Sequence, residues 1–383
     1  MSLFVSCGEV SGDLYAGDLI REVQAQDPSL RGRIWGMLGP VGMGALSGSP
    51  QPQPQDEDGP LPLWSYEELK LMGITEVLSA VPRLLRLRNA IARAIQSRRP
   101  RAVVLVDSPD FHLNLARKLR RDGFRGKLVC LVTPTVWAWR SGRTKILREA
   151  FDLCLPLFSF EHEFLIKRGV RSRWVAHPLV ESMKYCRAPE VLTSREDAGR
   201  LIALMPGSRS YDIRYHLKAL IETAELLRTE GFSPIFSVAS GLSPDLKDRL
   251  RRALVGFETW EGTARELMAA ASAAVVVSGT VSVEALLLRR FAVVVYNGEG
   301  LSWLLARLLV RIPYISIPNY LTDTPLYPEL LRSRMTPALI LAELHRYLDD
   351  PALKRSLDER MKDACSAMGA GSAAAFWAKS VLE

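Results

Sequence analysis

Short runs of consecutive apolar residues alternate with helical patterns along most of this chain, and this alternation restricts the fold more than any other feature. In the first half, the runs that predict strands are Leu3–Cys7, 33–38, Ala102–Val106, 128–132, 153–158 and 173–175. Helical patterns separate several of them, as at 109–122, 143–149 and 160–168. Strands that are apolar throughout and separated by helices are typical of a parallel sheet covered on both faces.

The alternation begins again after residues 178–199, a polar segment without a clear strand. The second set of runs is Leu201–Met205, 234–239, 257–260, Ala273–Val277 and Ala292–Tyr296, and residues 351–382 have a helical pattern. Because 383 residues exceed one ordinary core, we expect two doubly wound α/β domains joined near residue 178. Residues 47–62 are rich in Pro, Gln and acidic residues, a composition that predicts a mobile loop.

Charge and composition limit the class of partner. A net charge of +8 favours an anionic partner such as a nucleotide, a phospholipid surface or a nucleic acid. The five cysteines are dispersed and the five histidines have no ligand spacing, so the sequence predicts neither a disulfide framework nor a metal site. The first apolar run is too short for a signal peptide, and no uncharged stretch has the length of a membrane span. We therefore expect a cytoplasmic location.

Five motifs follow predicted strands directly. They are GEVSGD at 8–13, DSPDF at 107–111, TPTVWAWRSGR at 133–143, PGSR at 206–209 and SGTVSVE at 278–284. Ligands of doubly wound sheets bind beyond the carboxyl ends of the strands. We therefore expect all five motifs to surround one cleft between the two domains.

The GEVSGD motif predicts a glycine-bearing turn into a helix. Gly8 and Gly12 permit close approach to the backbone, Ser11 is suited to cap the helix, and the free N–H groups attract anions. Glu9 and Asp13 complete this candidate substrate-binding loop. Such turns are common in α/β proteins, and no G-x-G-x-x-G follows the strand, which argues against a Rossmann dehydrogenase.

The DSPDF motif contains the candidate catalytic group. Asp107 ends a predicted buried strand, where a carboxylate is costly unless it is used. A hydroxyl nucleophile needs a base within hydrogen-bond reach, and Asp107 is our candidate for that base. Asp110 is expected in the first turn of the next helix, where the helix dipole stabilises an acid.

The TPTVWAWRSGR motif combines large aromatic rings with arginines. Trp137 and Trp139 offer flat apolar area, and Arg140 beside them can bind phosphate or carboxylate oxygens in a fixed geometry. This composition is typical of a ligand wall. A buried aromatic plug with solvated arginines is the alternative, and the residues alone leave both interpretations open.

The PGSR motif predicts an anion site in the second domain. The backbone at Gly207 and Ser208, at the start of a helix that Ser208 is suited to cap, and the guanidinium of Arg209 can together bind a diphosphate. An ordinary turn with a surface arginine is the alternative.

The SGTVSVE motif repeats the turn into a helix. Ser278, Gly279 and Thr280 form the turn. Glu284 lies about one helical turn further on, where a carboxylate can accept hydrogen bonds from the two hydroxyls of a ribose. An ordinary helix glutamate is the alternative.

Two segments have the pattern of a basic amphipathic helix. Residues 84–101 combine arginines with apolar residues at helical spacing, which suits an anionic bilayer surface. Residues 303–311 are a second segment of this kind. For residues 84–101, a helix with one face in the core and the other in water is the favoured alternative.

Taken together, the motifs resemble the lipid A disaccharide synthase family. The resemblance covers nearly the full chain, and besides the five motifs, in matching order and approximate spacing, it includes G-x-x-GP at 36–40, MGITEVL at 72–78, AHPL at 176–179 and IPNYL at 317–321. It implies an inverting glycosyltransferase of the two-domain GT-B fold, in which a C-terminal helix crosses back to the first domain. It further implies no bound metal and no cofactor.

The resemblance also implies the reaction and the domain roles. UDP-2,3-diacylglucosamine would donate its sugar to 2,3-diacylglucosamine 1-phosphate (lipid X), giving the β(1→6) disaccharide 1-phosphate and UDP. Residues 1–178 would bind the acceptor and face the cytoplasmic surface of the inner membrane, 179–360 would bind the donor, and 361–383 would pack back on the first domain. Asp107 would be the base, Arg209 would hold the diphosphate, and Asn319 would lie near the nucleotide or sugar.

Some residues depart from the family pattern. Asp212 and Arg214 occupy the region where the family has a glutamate, Asn297 stands where it tends to have a basic residue, and Arg332 where a glutamine is expected. These departures concern donor binding. The sequence does not decide between a monomer and a homodimer.

Two rival functions remain open. One is another GT-B enzyme, such as a UDP-N-acetylglucosamine 2-epimerase or a transferase of peptidoglycan synthesis. The other is a non-catalytic basic protein that binds membranes or nucleic acid. Because the motifs follow strand tips and do not form one exposed basic face, we expect no nucleic acid partner.

Overall fold

The computed structural model describes residues 2–46, 61–69, 74–298 and 313–383. The chain divides into two compact units, unit 1 with Met1–Pro178 and Ala370–Glu383, and unit 2 with Leu179–Gly369. Each unit contains its own parallel sheet with helices in the connections.

In the described part of unit 1, six parallel strands form the sheet in the order β3-β2-β1-β4-β5-β6. They are β1 (Leu3–Cys7), β2 (Ile34–Leu38), β3 (Leu63–Ser65), β4 (Ala102–Val106), β5 (Lys127–Leu131) and β6 (Leu153–Leu155). The described helices in the first 178 residues of the unit are α1 (Val10–Gln26), α2 (Pro40–Leu46), α3 (Ile74–Arg98), α4 (Pro109–Arg121), α5 (Arg143–Ala150) and α6 (Ser159–Ile166). Every residue of β1, β2 and β4 is buried, which explains their uninterrupted apolar composition.

The described strands of unit 2 repeat the arrangement, in the order β12-β11-β10-β7-β8-β9. They are β7 (Leu201–Met205), β8 (Ser233–Ser237), β9 (Glu258–Trp260), β10 (Ala273–Val277), β11 (Ala292–Tyr296) and β12 (Glu329–Leu331). The helices are α7 (Leu179–Met183), α8 (Glu190–Thr193), α9 (Ser210–Thr229), α10 (Pro244–Ala253), α11 (Ala264–Ala270), α12 (Thr280–Leu287), α13 (Pro337–Leu348) and α14 (Pro351–Ala367).

The end of the chain is two helices, where the pattern predicted helix throughout residues 351–382. After α14 the chain turns at Gly369 and Gly371, both with positive φ, and α15 (Ala373–Leu382) follows in unit 1. Its Trp377 is buried and packs edge-on against Tyr15 of α1, with ring centroids 5.9 Å apart. The last helix thus belongs to the core of unit 1.

Two predicted strands differ from the observed structure, and two observed strands have no predicted counterpart. Residues 173–175 are not a strand, and next to them Ser172 forms an isolated bridge with Cys154. The strand expected over 153–158 ends at Leu155. The edge strands β3 and β12 carry no apolar run long enough to predict them, since β3 is partly exposed and β12 includes Glu329.

Candidate active site

Two loops of unit 1 lie side by side because their strands are neighbours. Cys7 of β1 is paired with Val106 of β4, so the glycine loop after β1 adjoins Asp107 after β4. A Cβ on Gly8 would lie only 2.1 Å from the Oγ of Ser108, so a side chain at that position would force Ser108 to move. Asp107 and Ser108 both have left-handed backbone, with φ of 55° and 45°. Non-glycine residues adopt this conformation at a cost, and such strain is concentrated at functional sites.

The environment of Asp107 makes it a stronger base than an ordinary aspartate. Burial raises its pKa to about 6, the negative charge of Glu9 adds to the rise, and the backbone N–H of Ser108 opposes it. The prediction that Asp107 ends a buried strand is confirmed. A carboxylate with this pKa is mostly ionised at pH 7 and still accepts a proton readily.

His112 supports the loop that carries Asp107, a role that no sequence motif indicates. Its Nδ1 donates a hydrogen bond to the backbone carbonyl of Asp107 (2.7 Å), and its Nε2 accepts one from the Ser6 hydroxyl (2.8 Å). Burial lowers the pKa of His112 to about 4, so the ring is neutral, as this pair of hydrogen bonds requires. This role depends on a tertiary contact, because Ser6 is 106 residues away from His112 in the sequence.

Within the GEVSGD motif, the side chains differ in what they contact. Glu9 and Ser11 are exposed, and α1 begins at Val10 without a side-chain cap, so the expected cap by Ser11 is wrong. Asp13 is buried, and its carboxylate accepts hydrogen bonds from three backbone N–H groups at the start of α2, those of Gly39, Val41 and Gly42. A Cβ on Gly12 would make an ordinary contact with Asp107, 3.5 Å from its Cβ. The carboxylate of Asp13 thus holds the neighbouring loop.

The two tryptophans have different surroundings. Trp137 donates a hydrogen bond from Nε1 to the buried carboxylate of Glu161 (3.0 Å) and packs edge-on against Phe160. Trp139 instead lies under the guanidinium of Arg140, 4.2 Å from the ring centroid. Trp137 therefore packs as the aromatic plug interpretation expects. Trp139 has the ring beside an arginine that the ligand wall interpretation expects.

In unit 2, the PGSR and SGTVSVE loops follow adjacent strands. Met205 of β7 is paired with Val276 of β10, so the two turns lie at neighbouring strand ends. Ser208 and Arg209 are exposed, and α9 begins at Ser210 with Arg209 as N-cap, so the expected cap by Ser208 is wrong. The helix nevertheless presents its N-terminus at this turn, and Arg209 stands beside it as a cation.

Glu284 lies one turn into α12, which begins at Thr280. Its side chain is only 15% exposed and lies 3.9 Å from the Nε of Arg265. Burial raises the pKa of Glu284, and the charge of Arg265 opposes that rise. Ser278 also has a contact inside the unit, a hydrogen bond from its hydroxyl to the carbonyl of Ile315 (3.2 Å). Gly279 and Thr280 are exposed in the turn.

Two departures from the family pattern are joined by one buried imidazole. His216 donates from Nδ1 to the carbonyl of Asp212 (2.5 Å), and its Nε2 accepts from the backbone N–H of Asn297 (2.8 Å). Asp212 also packs under the PGSR turn, since a Cβ on Gly207 would lie 2.3 Å from its Cβ. His216 thereby links the first turn of α9 to the end of β11.

Asn319 is buried and fully occupied by contacts within unit 2. Its amide nitrogen donates to the carbonyl of Tyr327 and to Glu329, and its oxygen accepts from the backbone N–H groups of Leu326 and Tyr327, all at 2.9 Å. Glu329 in turn accepts from the backbone N–H of Ser316. The amide therefore organises the segment around IPNYL.

Some predictions fall outside the described ranges. Residues 303–311 are outside them, as are 47–60 and the first two residues of MGITEVL. None of the helices that the structure describes is both long and apolar enough to cross a bilayer. Among the described residues, no three His, Cys, Asp or Glu side chains are grouped so that they could hold a metal ion. The prediction of one cleft between the domains stays a prediction.

The fold resembles that of known UDP-sugar enzymes. A putative UDP-N-acetylglucosamine 2-epimerase from Listeria monocytogenes has a TM-score of 0.61 at 12% identity, over 100% of this chain and 94% of that one. The UDP-GlcNAc 2-epimerase from Neisseria meningitidis, bound to UDP-GlcNAc, has a TM-score of 0.60 at 11% identity, over 100% of both chains. At these identities the likeness concerns the fold alone, which is GT-B.

Comparison with related sequences shows which family of GT-B enzymes the chain belongs to. The sequence model of the family described as Lipid-A-disaccharide synthetase matches residues 3–372. The lipid-A-disaccharide synthase of Myxococcus xanthus (strain DK1622) is 34% identical over 392 residues, covering 100% of this chain and 97% of that protein. The enzyme of the same name from Pseudomonas aeruginosa (strain UCBPP-PA14) is 34% identical, covering 90% and 88%. This chain belongs to the lipid-A-disaccharide synthetase family.

Proposed function

We propose that Asp107 is the general base of the reaction that defines this family. The chain is a hexosyltransferase that forms the lipid A disaccharide from UDP-2,3-diacylglucosamine and 2,3-diacylglucosamine 1-phosphate. One observation supports Asp107 above other candidates: its carboxyl, with a pKa raised to about 6, follows a buried strand and adjoins the glycine loop. Its loop also has two consecutive left-handed residues.

In this proposal the acceptor's 6-hydroxyl gives its proton to the Asp107 carboxylate while its oxygen attacks the anomeric carbon of the donor. The bond from that carbon to the β-phosphate oxygen breaks, its electron pair leaves with UDP, and the anomeric configuration inverts. General-base help of this kind contributes about two to four powers of ten in rate.

The donor is assigned to unit 2 and the acceptor to unit 1. Arg209 and the backbone at Gly207 and Ser208 bind the diphosphate and neutralise the charge that develops on the leaving UDP. Glu284 accepts hydrogen bonds from the ribose, beside the turn of residues 278–280. Trp139 and Arg140 form the acceptor wall. Asp13, Trp137 and Asn319 act through the loops that they hold, because their polar atoms are bonded within the protein.

The reaction is tested by incubating the purified protein with both substrates in detergent. Disaccharide 1-phosphate and UDP are expected in equal amounts. Absence of both products would refute the assigned activity, and conversion of the UDP-sugar without acceptor would indicate an epimerase. The Asp107→Asn variant is expected to lose about two to four powers of ten in turnover. The matched control is Asp122→Asn, at the other end of α4, and near-normal turnover of Asp107→Asn would remove Asp107 from the role of base.

We further propose that the part of α3 around Val81 and Leu85 rests on an anionic membrane surface, where the acylated substrates reside. Leu87, Ile91 and Ile95 of this helix are buried in the core, as the alternative interpretation expected. Nearer the start of the helix, however, Val81 and Leu85 are 43% and 42% exposed. Exposed apolar side chains among arginines are typical of interfacial helices.

Flotation with vesicles that contain anionic lipid tests this membrane contact. The double variant Val81→Ser/Leu85→Ser and the charge-reversed variant Arg83→Glu/Arg86→Glu are expected to lose binding. The control Arg93→Glu changes an exposed arginine further along the same helix. If both double variants float as well as the parent protein, the membrane role of α3 is wrong.

A further inference from the structure

Two arginines of the TPTVWAWRSGR motif converge on one carboxylate beside Asp107. Arg140 and Arg143 both contact the same oxygen of Asp110, the Arg140 contact being 3.1 Å long. The two guanidinium groups also share the ring of Trp139, with distances to its centroid of 4.2 and 6.0 Å. The four side chains therefore form one cluster, which we call the Asp110 cluster.

The charges of the Asp110 cluster do not balance. Two guanidinium groups face one carboxylate, so one positive charge remains. Asp110 is 77% exposed, whereas the side chain of Arg143 is only 15% exposed. An exposed carboxylate contributes little to stability through such pairs. Because Asp110 is exposed, the guanidinium groups of Arg140 and Arg143 are oriented towards a position that solvent, and hence a ligand, can reach.

The backbone supports a functional arrangement. Arg140 has a φ of 48°, in the left-handed region, and its guanidinium stacks on Trp139. A non-glycine residue adopts this conformation at a cost and keeps it where the surroundings require it.

We propose that Arg140 and Arg143 bind the phosphate of the acceptor, with Asp110 occupying its position when no substrate is bound. This inference rests on the proposed function and names the group that it recognises, a phosphomonoester. A phosphate dianion offers three acceptor oxygens and twice the charge of a carboxylate, so it competes well for two arginine forks.

The position of the cluster relative to the base fits a phosphorylated sugar. Asp110 is three residues after Asp107, a span of at most about 11 Å. In the acceptor, the 1-phosphate is attached to C1 and the reacting 6-hydroxyl is carried on C5, and these two carbons flank the ring oxygen of one sugar. Phosphate binding at the Asp110 cluster would therefore direct the 6-hydroxyl to Asp107 and hold it there.

The test compares two acceptors, 2,3-diacylglucosamine 1-phosphate and 2,3-diacylglucosamine without the phosphate. For Arg143→Ala and for Arg140→Ala, we expect the KM of the phosphorylated acceptor to rise about 10- to 100-fold. The KM of the donor stays as in the parent protein for both variants, and Arg143→Ala also leaves the rate with the unphosphorylated acceptor unchanged. Arg143→Lys keeps the charge without the fork and is expected to give an intermediate KM. Asp110→Asn is expected to bind the phosphorylated acceptor at least as tightly as the parent.

Lys145→Ala is the matched control, because Lys145 is an exposed cation in the first turn of α5, close to Arg143. The inference is overturned if the arginine variants affect both acceptors equally, or if the donor KM rises instead, which would assign the cluster to the donor diphosphate. A loss in Asp110→Asn as large as in Arg143→Ala would also overturn it. If the parent protein forms no disaccharide at all, the proposed function fails, which is a separate result.

Discussion

The Nδ1 of His112 lies 2.7 Å from the carbonyl oxygen of Asp107, and this contact links the buried core of unit 1 to the loop that carries the proposed base. The ring is fixed on its other side by the hydroxyl of Ser6. Because Asp107 and Ser108 both have left-handed backbone, their loop needs external stabilisation. A neutral, buried imidazole between two partners provides it.

We therefore expect His112 to be a positioning residue. In His112→Phe, kcat is expected to fall about 3- to 10-fold, the equivalent of one hydrogen bond, while the donor KM stays unchanged. His112→Asn can still donate from a nitrogen near the position of Nδ1 and is expected to recover most of the lost kcat. Steady-state kinetics with both substrates measures kcat and the donor KM separately. If Asn is as slow as Phe, or if both variants lose only thermal stability, the role is wrong.

The raised pKa of Asp107 predicts an acidic limit to activity. Since the base must be ionised, kcat/KM is expected to fall about tenfold per pH unit below pH 6. Glu9→Gln removes a negative charge that raises this pKa, so its acidic limb is expected at lower pH than in the parent protein. A pH–rate profile measures both. Identical limbs in the two proteins would contradict the assigned charge effect.

The same pKa has a consequence for stability. Between about pH 4 and 6, Asp107 is protonated in the folded protein but ionised in the unfolded chain. The free energy of unfolding therefore falls as pH rises through that range. Asp107→Asn is therefore expected to melt at a higher temperature than the parent at pH 8. The difference is expected to shrink towards pH 5. An inactive variant that is also less stable at pH 8 would contradict this.

Arg209 is expected to act on the donor alone. Loss of a charged hydrogen bond to the diphosphate in Arg209→Ala is expected to lower kcat/KM for the donor about 10- to 100-fold, with the acceptor KM unchanged. Lys218→Ala, a cation that is 90% exposed on the same helix, is the matched control. Initial rates at varied UDP-sugar measure the effect. Equal behaviour of the two variants would remove Arg209 from the donor site.

The positions of the loops could be predicted from the sequence, because they depend on strands that are apolar throughout. Asp107 and Arg209 follow such strands, and their place at the strand ends needs no knowledge of distant residues. The edge strands β3 and β12 could not be predicted, since each has only three residues, β3 being partly exposed and β12 beginning with Glu329, so neither leaves an apolar run. The break at Gly369 was hidden by the helical pattern on both sides of it.

The sequence indicates which polar residues are candidates for the site, but it does not indicate which groups their side chains contact. Asp13 and Asn319 were recognised as candidates, yet their hydrogen bonds to the backbone at residues 39–42 and 326–327 arise only when the chain is folded. His112 and His216 had no motif at all. Each binds a carbonyl four or five residues earlier, which any helical histidine can do, and its second partner is remote in sequence.

Asp13 provides a test of structural against binding roles. Asp13→Asn replaces one of two acceptor oxygens by a donor that faces backbone N–H groups. We expect the free energy of unfolding to fall by about 1–3 kcal/mol, with little change in either KM. Urea unfolding followed by circular dichroism measures the first quantity. A rise in KM without loss of stability would indicate that this carboxylate touches substrate.

Glu161 predicts a second effect of pH on stability, centred on Trp137. Burial raises the pKa of Glu161 to about 7, against the opposing hydrogen bonds from Trp137 and from the backbone of Leu157 and Phe158. Because the folded-state pKa lies above that of the unfolded chain, ionisation of Glu161 lowers stability as pH rises from about 4.5 through 7.

Glu161→Gln keeps an acceptor for the Trp137 N–H and cannot ionise. The quantity to compare is the free energy of unfolding of Glu161→Gln minus that of the parent. This difference is expected to be about 1–3 kcal/mol larger at pH 8.5 than at pH 5.5. Urea titrations at the two pH values measure this difference. Glu163→Gln, an exposed position on α6, is the control and is expected to follow the parent at both pH values. If Glu161→Gln also follows the parent, the carboxyl of Glu161 titrates at the same pH in the folded and unfolded chains.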